Sequence, residues 1–226
     1  MNFHLIIPSA GTGVRFKSRV PKQFYKIKGV EILAITIRRF HNFENLKSIT
    51  IAIKKEYIKR IQAIIEKNNF YKVTKIIEGG KTRQQSVYNA ICSLMCDRND
   101  YVAIHDAVRP FVSEKFIYFL FKKAIKYKAI VPCIKINDTV KLIGKNKYIE
   151  RTLNRDYIYL AQTPQIFRYD ILKKSFDFAK KNNIKGTDDS SIVELAGFKV
   201  KVVEGDIRNI KITTNSDLDF VPSNYI

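Results

Sequence analysis

The sequence has too few cysteines for a disulfide framework. It contains three, Cys92, Cys96 and Cys133, in 226 residues, whereas disulfide-stabilised domains are usually short secreted chains with many paired cysteines. Cys92 and Cys96 have no second Cys or His pair near them, so a zinc site is not expected. We expect a protein of a reducing compartment, with Cys92 and Cys96 buried in a helix.

Long apolar segments are also absent. No run approaches the ~18 apolar residues of a membrane-spanning helix, and the opening MNFHLIIPSAG has an apolar run too short for a signal peptide. We expect a cytoplasmic protein without a membrane partner.

Acidic residues are scarce relative to basic ones. The chain has 41 Lys and Arg against 21 Asp and Glu, a formal net charge of +20. A basic surface attracts nucleic acids, membrane surfaces, nucleotides and sugar phosphates alike. The abundance of Lys, Asn, Ile and Tyr is typical of an AT-rich genome, so much of the excess can equally be solvated surface.

The residue pattern predicts an α/β protein. Hydrophobic residues make up 46% and charged residues 27% of the chain, as in folded globular proteins. Short β-branched runs alternate with amphipathic segments, which predicts βα units around a largely parallel sheet. The predicted strands are Phe3–Pro8, Ser48–Ile53, Val73–Glu78, Tyr101–His105, Ala129–Ile134 and Lys199–Glu204. The predicted helices are Glu31–His41, Lys55–Asn68, Thr82–Cys96, Ser113–Lys126, Arg168–Lys181 and Asp188–Ala196.

One stretch breaks this alternation. Residues 135–159 read as two short polar strands around Gly144-Lys145-Asn146, which predicts a projecting β-arm. Because a two-stranded ribbon is not stable alone in water, the arm must pack on something, and a second subunit is a reasonable candidate. No repeat or Pro/Gly linker divides the chain, so we predict one domain, 1–226, with this arm.

The first candidate site follows the first predicted strand, where the sequence reads SAGTGVR from Ser9 to Arg15 and then Pro21-Lys22-Gln23. Small residues at Ala10, Gly11 and Gly13 let backbone N–H groups approach phosphates, and Arg15 and Lys22 supply positive charge. The segment lacks the Gly-Lys-Ser/Thr of a Walker A loop and the third glycine of the dinucleotide fingerprint. Phosphate binding and an ordinary tight turn both remain open.

The second candidate site, GGKTRQQS from Gly79 to Ser86, ends a predicted strand and opens a helix. Helix N-termini favour anions, and the carboxyl ends of parallel strands lie on one side of a sheet. Arg83 and Ser86 can therefore face a nucleotide from the same edge as the first site. The alternative is an ordinary turn with a solvated Lys-Thr-Arg.

The third candidate site, His105-Asp106-Ala107-Val108-Arg109-Pro110, follows a predicted buried strand. Asp106 is a candidate ligand for Mg²⁺, which usually binds few protein carboxylates together with phosphate and water. We interpret His105 as a core histidine hydrogen-bonded to the backbone. Arg109 either pairs with Asp106 or binds a substrate phosphate.

Together these segments resemble the bacterial 2-C-methyl-D-erythritol 4-phosphate cytidylyltransferases of the non-mevalonate isoprenoid pathway. The likeness runs along nearly the whole chain. Besides the three sites it includes Asp138-Thr139, Arg155, Gln162-Thr163-Pro164-Gln165, Thr187-Asp188-Asp189, Val203-Glu204-Gly205 and Asn209-Ile210-Lys211-Ile212-Thr213.

The resemblance implies a Rossmann-like nucleotidyltransferase fold, a mostly parallel sheet with helices on both faces and a projecting β-arm. It implies an enzyme that joins CTP to a sugar-alcohol phosphate with Mg²⁺ and releases pyrophosphate. A phosphate oxygen of the acceptor attacks the α-phosphorus of CTP. This chemistry needs positioning and charge neutralisation more than covalent catalysis.

The resemblance also assigns roles to residues. Arg15 and Lys22 match the pair that stabilises charge on the triphosphate, and Lys211 and Arg155 match residues that hold the acceptor. The remaining acceptor contacts are Asp106, Arg109, Thr139 and Thr163, with Asp106 also near the metal. The cytidine lies against Ala10, Gly11, Gly80 and Ser86, within a substrate site that also includes Gly13, Arg83 and Ala107. In this family the arm exchanges between two subunits, so Thr139 and Arg155 complete the partner's site in a homodimer.

Two alternatives remain. Ribitol 5-phosphate cytidylyltransferases share the nucleotide motifs, but the stretches Arg83–Val87 and Thr187–Glu194 look more like the methylerythritol enzymes. A basic nucleic-acid-binding protein is the distant alternative, and no nucleic-acid partner is expected. The basic residues of this sequence are spread along the chain without a dense basic tail. The Gly and Asp residues of the three candidate sites would have no role in a nucleic-acid-binding protein.

Overall fold

An eight-stranded mixed sheet forms the centre of the fold in the computed structural model, which describes residues 1–11 and 20–220. The strands are β1 (Phe3–Pro8), β2 (Lys26–Ile27), β3 (Val30–Glu31), β4 (Leu46–Ile53), β5 (Val73–Glu78), β6 (Tyr101–Ile104), β7 (Ala129–Lys135), β8 (Lys141–Ile143), β9 (Ile149–Thr152), β10 (Tyr159–Ala161), β11 (Gln165–Arg168) and β12 (Lys201–Glu204). The helices are α1 (Ile32–His41), α2 (Ile58–Asn68), α3 (Arg83–Ser93), α4 (Glu114–Tyr127), α5 (Tyr169–Lys181) and α6 (Asp189–Leu195).

The strand order of the main sheet is β10-β7-β11-β6-β1-β4-β5, and β12 pairs with β7. The pairs β6–β1, β1–β4, β4–β5 and β7–β12 are parallel. Strand β11 lies antiparallel between β6 and β7, and β10 is antiparallel to β7. Because β1, β4, β5 and β6 run in the same direction, their carboxyl ends share one edge of the sheet.

Both faces of the sheet are covered by helices. Successive residues of a strand point to opposite faces, and β1 shows this alternation. Leu5 and Ile7 pack into a cluster with residues of α1, α2 and α4. Ile6 packs into a second cluster with residues of α3, α5 and α6. The prediction of a mostly parallel sheet with helices on both faces is confirmed.

The six predicted strands and six predicted helices are all present; β1 and β5 have the predicted bounds and the others have shifted ends. Helix α3 ends at Ser93 rather than Cys96, because Leu94 takes an extended backbone and packs against the second cluster. Cys92 is therefore exposed on the last turn and Cys96 lies half-buried beyond the helix, so the expectation that both are buried in it was wrong. The short antiparallel strands β10 and β11 were not predicted.

The arm is a hairpin of β8 and β9, which pair antiparallel as predicted. Its strands are exposed along their whole length. The expectation of polar strands is wrong in one respect, because Leu142, Ile143 and Ile149 present large apolar side chains to solvent. Within residues 1–11 and 20–220, no helix is long and apolar enough to cross a membrane.

Several helices begin with a side-chain cap that the sequence provides. The hydroxyl of Thr82 accepts a hydrogen bond from the Gln85 N–H at the start of α3. Ser113 caps α4 by accepting from the Phe116 N–H at 3.2 Å. Such side chains satisfy backbone donors that have no partner within the helix.

The Ser113 cap gives a direct test of how α4 is anchored. Replacing Ser113 with Ala should lower the free energy of unfolding by about 1 kcal/mol, because the Phe116 N–H loses its acceptor. Urea unfolding measures this, and Ser113→Asp, which keeps an acceptor, is the control. Equal loss in both variants would contradict the capping role.

Candidate active site

A cleft of about 520 Å³ opens at the carboxyl ends of β1, β4, β5 and β6. Nine residues of the predicted site line it: Ala10, Gly11, Lys22, Gly80, Arg83, Ser86, Asp106, Ala107 and Lys211. The three candidate sites therefore meet at one edge of the sheet, as the strand directions require.

Asp106 is the only acidic residue among the described residues that line the cleft. Its carboxylate contacts three cations: Lys211 Nζ at 2.9 Å, Arg109 Nε at 3.4 Å and Arg83 Nε at 3.4 Å. Burial raises the pKa of the Asp106 carboxyl, but the charges of Arg83, Lys211 and Arg109 outweigh burial and hold that pKa well below its ordinary value. Asp106 is therefore an ionised carboxylate at neutral pH.

Arg83 connects this cluster to a second carboxylate. Its two terminal nitrogens donate to the carboxylate oxygens of Asp189 at 2.9 and 2.7 Å, while its Nε faces Asp106. Asp189 is buried at the first residue of α6. A two-pronged pair of this kind fixes the plane of the guanidinium group, so Arg83 has little freedom to move in the cleft.

Close packing shapes the opposite wall. A Cβ on Gly79 would overlap the Cβ of Ala10 and would lie 3.0 Å from Ser86 Oγ. The Gly80 N–H donates to Ser86 Oγ at 3.0 Å, and that hydroxyl donates to the Thr82 carbonyl at 2.9 Å. Gly79 is thus required by contact, because any side chain there would collide with Ala10. The surface that Ala10, Gly11, Gly80 and Ser86 present to the cleft is called the glycine wall below.

Arg109 and His105 lie beneath Asp106. Arg109 is buried and donates to the Asn209 carbonyl at 2.7 Å as well as facing Asp106. The pairing with Asp106 is present, and the binding of a substrate phosphate by Arg109 stays a prediction. His105 is fully buried, and its Nε2 bonds to the Arg109 carbonyl at 3.0 Å. The interpretation of His105 as a core histidine bonded to the backbone is confirmed.

Some predicted residues lie elsewhere. Thr163 is buried behind Asp106, where its hydroxyl accepts from the Asp106 N–H. Thr139 and Arg155 are exposed in the arm region and do not line this chain's cleft. Gly13 and Arg15 lie outside the described residues, so their assignments stay predictions.

Sequence reasoning missed other residues of the cleft. Lys54 follows β4 directly and Lys81 follows Gly80, and both line the cleft. Gln23 is buried and donates to the Ser9 carbonyl at 2.8 Å, which holds the end of β1 beside Lys22. Lys54 could have been predicted, because it is a charged residue directly after a strand, as Asp106 is. Asp189 belongs to a motif noted in the sequence, but no role was assigned to it.

Comparisons with known proteins agree over nearly the whole chain. The family model described as IspD, 2-C-methyl-D-erythritol 4-phosphate cytidylyltransferase, matches residues 3–222. The chain belongs to this family. A relative of that name from Clostridioides difficile is 41% identical over 221 residues, which cover 96% of this chain and 91% of the relative.

Solved structures of this family share the fold. The 2-C-methyl-D-erythritol 4-phosphate cytidylyltransferase of Francisella tularensis has a TM-score of 0.82 and 36% identity, covering 97% of this chain and 98% of its own. The 4-diphosphocytidyl-2C-methyl-D-erythritol synthase of Anaerococcus prevotii has a TM-score of 0.83 and 33% identity, covering 97% and 93%. The family match spans both the cleft and the arm.

The cleft of this cytidylyltransferase family member fits Mg²⁺ only together with a phosphate ligand. Among the described residues, no cluster of three or more His, Cys, Asp or Glu residues is placed to hold a metal. Oδ2 of Asp106 faces Lys211 and Arg109, whereas Oδ1 has one long contact to Arg83. Magnesium commonly takes one or two carboxylates and completes its shell with phosphate and water. Asp106 Oδ1 is a suitable donor of this kind.

Replacing Asp106 with Asn tests the charge balance of the cleft. The variant should lose about 3 kcal/mol of unfolding free energy at pH 7, because the buried Arg109 and the partly exposed Arg83 and Lys211 lose their shared anion. Because the pKa of Asp106 is lower in the folded than in the unfolded protein, its charge stabilises the fold at pH values above the ordinary carboxyl pKa. This stabilisation is lost as the pH falls and the carboxylate becomes protonated. The gap between wild type and variant in urea unfolding should therefore narrow below about pH 5. A gap that stays the same at pH 7 and pH 3 would contradict this.

Proposed function

We propose that the protein transfers the cytidylyl group of CTP to 2-C-methyl-D-erythritol 4-phosphate. The products are 4-diphosphocytidyl-2-C-methyl-D-erythritol and pyrophosphate, and the step belongs to isoprenoid precursor synthesis. Family membership over residues 3–222 supports this reaction. The observation that carries it in the structure is a cleft lined by Lys22, Lys54, Lys81, Arg83 and Lys211 with one carboxylate.

The reaction needs an anionic site with fixed geometry. An oxygen of the acceptor phosphate forms a bond to the α-phosphorus, and the bond from that phosphorus to the bridging oxygen of pyrophosphate breaks. Both reactants are anions, so cations must offset their repulsion and the charge that develops on the leaving group. Lys22 and Arg15 are the proposed stabilisers of the triphosphate, and Lys211 holds the acceptor phosphate.

The glycine wall is the proposed nucleoside site. Ala10, Gly11, Gly80 and Ser86 line the cleft, and a side chain on Gly79 would displace Ala10 and Ser86 from this surface. A pyrimidine ring stacked on exposed backbone needs such a surface. Magnesium held by Asp106 would neutralise phosphate charge when bound.

The arm is the proposed dimer contact. Leu142, Ile143, Tyr148, Ile149 and Tyr157 are exposed on the arm and the segment after it. Exposed apolar patches of this kind usually mark interaction sites. A second copy covering this patch would place Thr139 and Arg155 at the partner's cleft, where neither residue reaches its own.

The direct experiment measures pyrophosphate release from the purified protein with Mg²⁺. Each nucleoside triphosphate is paired in turn with methylerythritol 4-phosphate and with ribitol 5-phosphate. Release that requires both CTP and methylerythritol 4-phosphate supports the proposal. Preference for ribitol 5-phosphate would identify that compound as the acceptor instead. No pyrophosphate release with either acceptor would reject cytidylyl transfer.

Lys22→Ala should lower turnover by about 10²–10³-fold while leaving the melting temperature nearly unchanged, because a cleft lysine stabilises charge rather than the core. Steady-state kinetics and thermal melting measure the two effects. The matched control is Lys26→Ala, since Lys26 is exposed in a 3.9 Å surface pair with Glu31 and such pairs contribute little. Equal turnover in both variants would remove Lys22 from the site.

The shared-site arrangement can be tested by mixing two inactive chains. Lys22→Ala and Arg155→Ala, co-expressed with different tags, should recover about a quarter of wild-type activity, because half of randomly formed dimers are mixed and each holds one intact site. Co-expression of Lys22→Ala with the Lys22→Ala/Arg155→Ala double variant is the control and should recover none. Absence of recovery in the first mixture, with dimers present, would place both residues in one chain's site.

A further inference from the structure

A chain of hydrogen bonds runs behind Asp106 and ends on the same loop. The Asp106 N–H donates to Thr163 Oγ1 at 3.0 Å. Thr163 Oγ1 lies 3.1 Å from His105 Nδ1, and His105 Nε2 lies 3.0 Å from the Arg109 carbonyl. All four residues are buried. These hydrogen bonds therefore tie the 105–109 loop to Thr163.

The chemistry of each group fixes where the protons lie. A backbone carbonyl can only accept, so His105 Nε2 must carry a proton. An imidazole with a single proton, on Nε2, has an acceptor at Nδ1. The Thr163 hydroxyl must then donate its single proton to Nδ1, while its oxygen accepts from Asp106.

This assignment leaves Thr163 without a proton for the substrate. Ionised phosphate oxygens accept hydrogen bonds and need donors. The hydroxyl of Thr163 could donate to an acceptor phosphate only by abandoning His105, whose Nδ1 would then be buried without a partner, at a cost. The arrangement points to an effect on the loop that carries Asp106.

We propose that His105 and Thr163 are positioning residues, which act together to hold the Asp106 loop in the orientation that the transfer reaction needs. This inference rests on the proposed function and deepens it. Further bonds fix the same loop, since Thr36 donates to the Ala107 carbonyl and the Ile212 N–H donates to the Val108 carbonyl. The His105–Thr163 pair is the part of this network that sits directly on the Asp106 amide.

The test is a double-mutant cycle on the full-length enzyme with Thr163→Val, His105→Gln and the double variant. Each single variant should lower kcat by about tenfold or more, with the KM for the acceptor within about threefold of wild type. The kcat of the double variant should be within about threefold of the kcat of the poorer single variant, because both changes break the same series of hydrogen bonds. Thr163→Ser keeps the hydroxyl and should recover most of kcat.

Two buried residues outside the cleft supply matched controls. Thr50 and His41 are buried and each has a polar atom without a hydrogen-bond partner among the described residues. Thr50→Val and His41→Gln should leave kcat unchanged. A Thr163→Val variant that raises the acceptor KM about tenfold with unchanged kcat would overturn the proposal, as would losses that multiply in the double variant.

A readout independent of catalysis keeps the inference separate from the proposed function. Nitrogen-15 NMR of the wild-type imidazoles at pH 7 should show His105 neutral with its proton on Nε2, and Thr163→Val should shift its Nδ1 signal. A proton on Nδ1, or no response to Thr163→Val, would overturn the pairing. If the wild-type protein transfers no cytidylyl group, the proposed function is wrong. The NMR result, together with a double-mutant cycle of melting temperatures on the same variants, still decides whether His105 and Thr163 interact.

Discussion

The ionised carboxylate of Asp106 is the charge around which the cleft is organised. Three cations lie within 3.4 Å of it, and without an anion among them they would repel one another in a partly buried space. Asp189 forms a second ion pair with Arg83 and so offsets part of its positive charge. The two carboxylates fix the cations in place yet leave the cleft positive, which suits a site that receives two phosphorylated substrates.

The sheet explains why this charge can be held so rigidly. Asp106 lies two residues after β6, a central strand that is paired with β1 on one side and with β11 on the other. The Asp106 amide is bonded to Thr163, on the segment that enters β11. The buried strands therefore fix the position of the Asp106 side chain at the edge of the sheet. Close packing around Gly79 fixes the neighbouring wall of the cleft.

Strand directions and local motifs made much of this predictable. The end of β1, the turn after β5 and Asp106 were found in the sequence, because small residues and charges at strand ends stand out against apolar runs. Asp189 was given no role, since its pairing with Arg83 joins residues 106 positions apart. Strand β11 was missed because four residues with two polar ends carry no periodic signal, and its place between β6 and β7 depends on long-range pairing. The apolar exposure of the arm also became visible only in three dimensions.

The most direct measurement is a crystal structure of the protein with Mg²⁺ and a CTP analogue that resists transfer. The account predicts the triphosphate between Lys22 and Lys211, a metal ion on Asp106 and the cytosine on the wall formed by Ala10, Gly80 and Ser86. A nucleotide bound instead in the neighbouring cavity lined by Tyr88, Phe176 and Lys180, between α3 and α5, would contradict it.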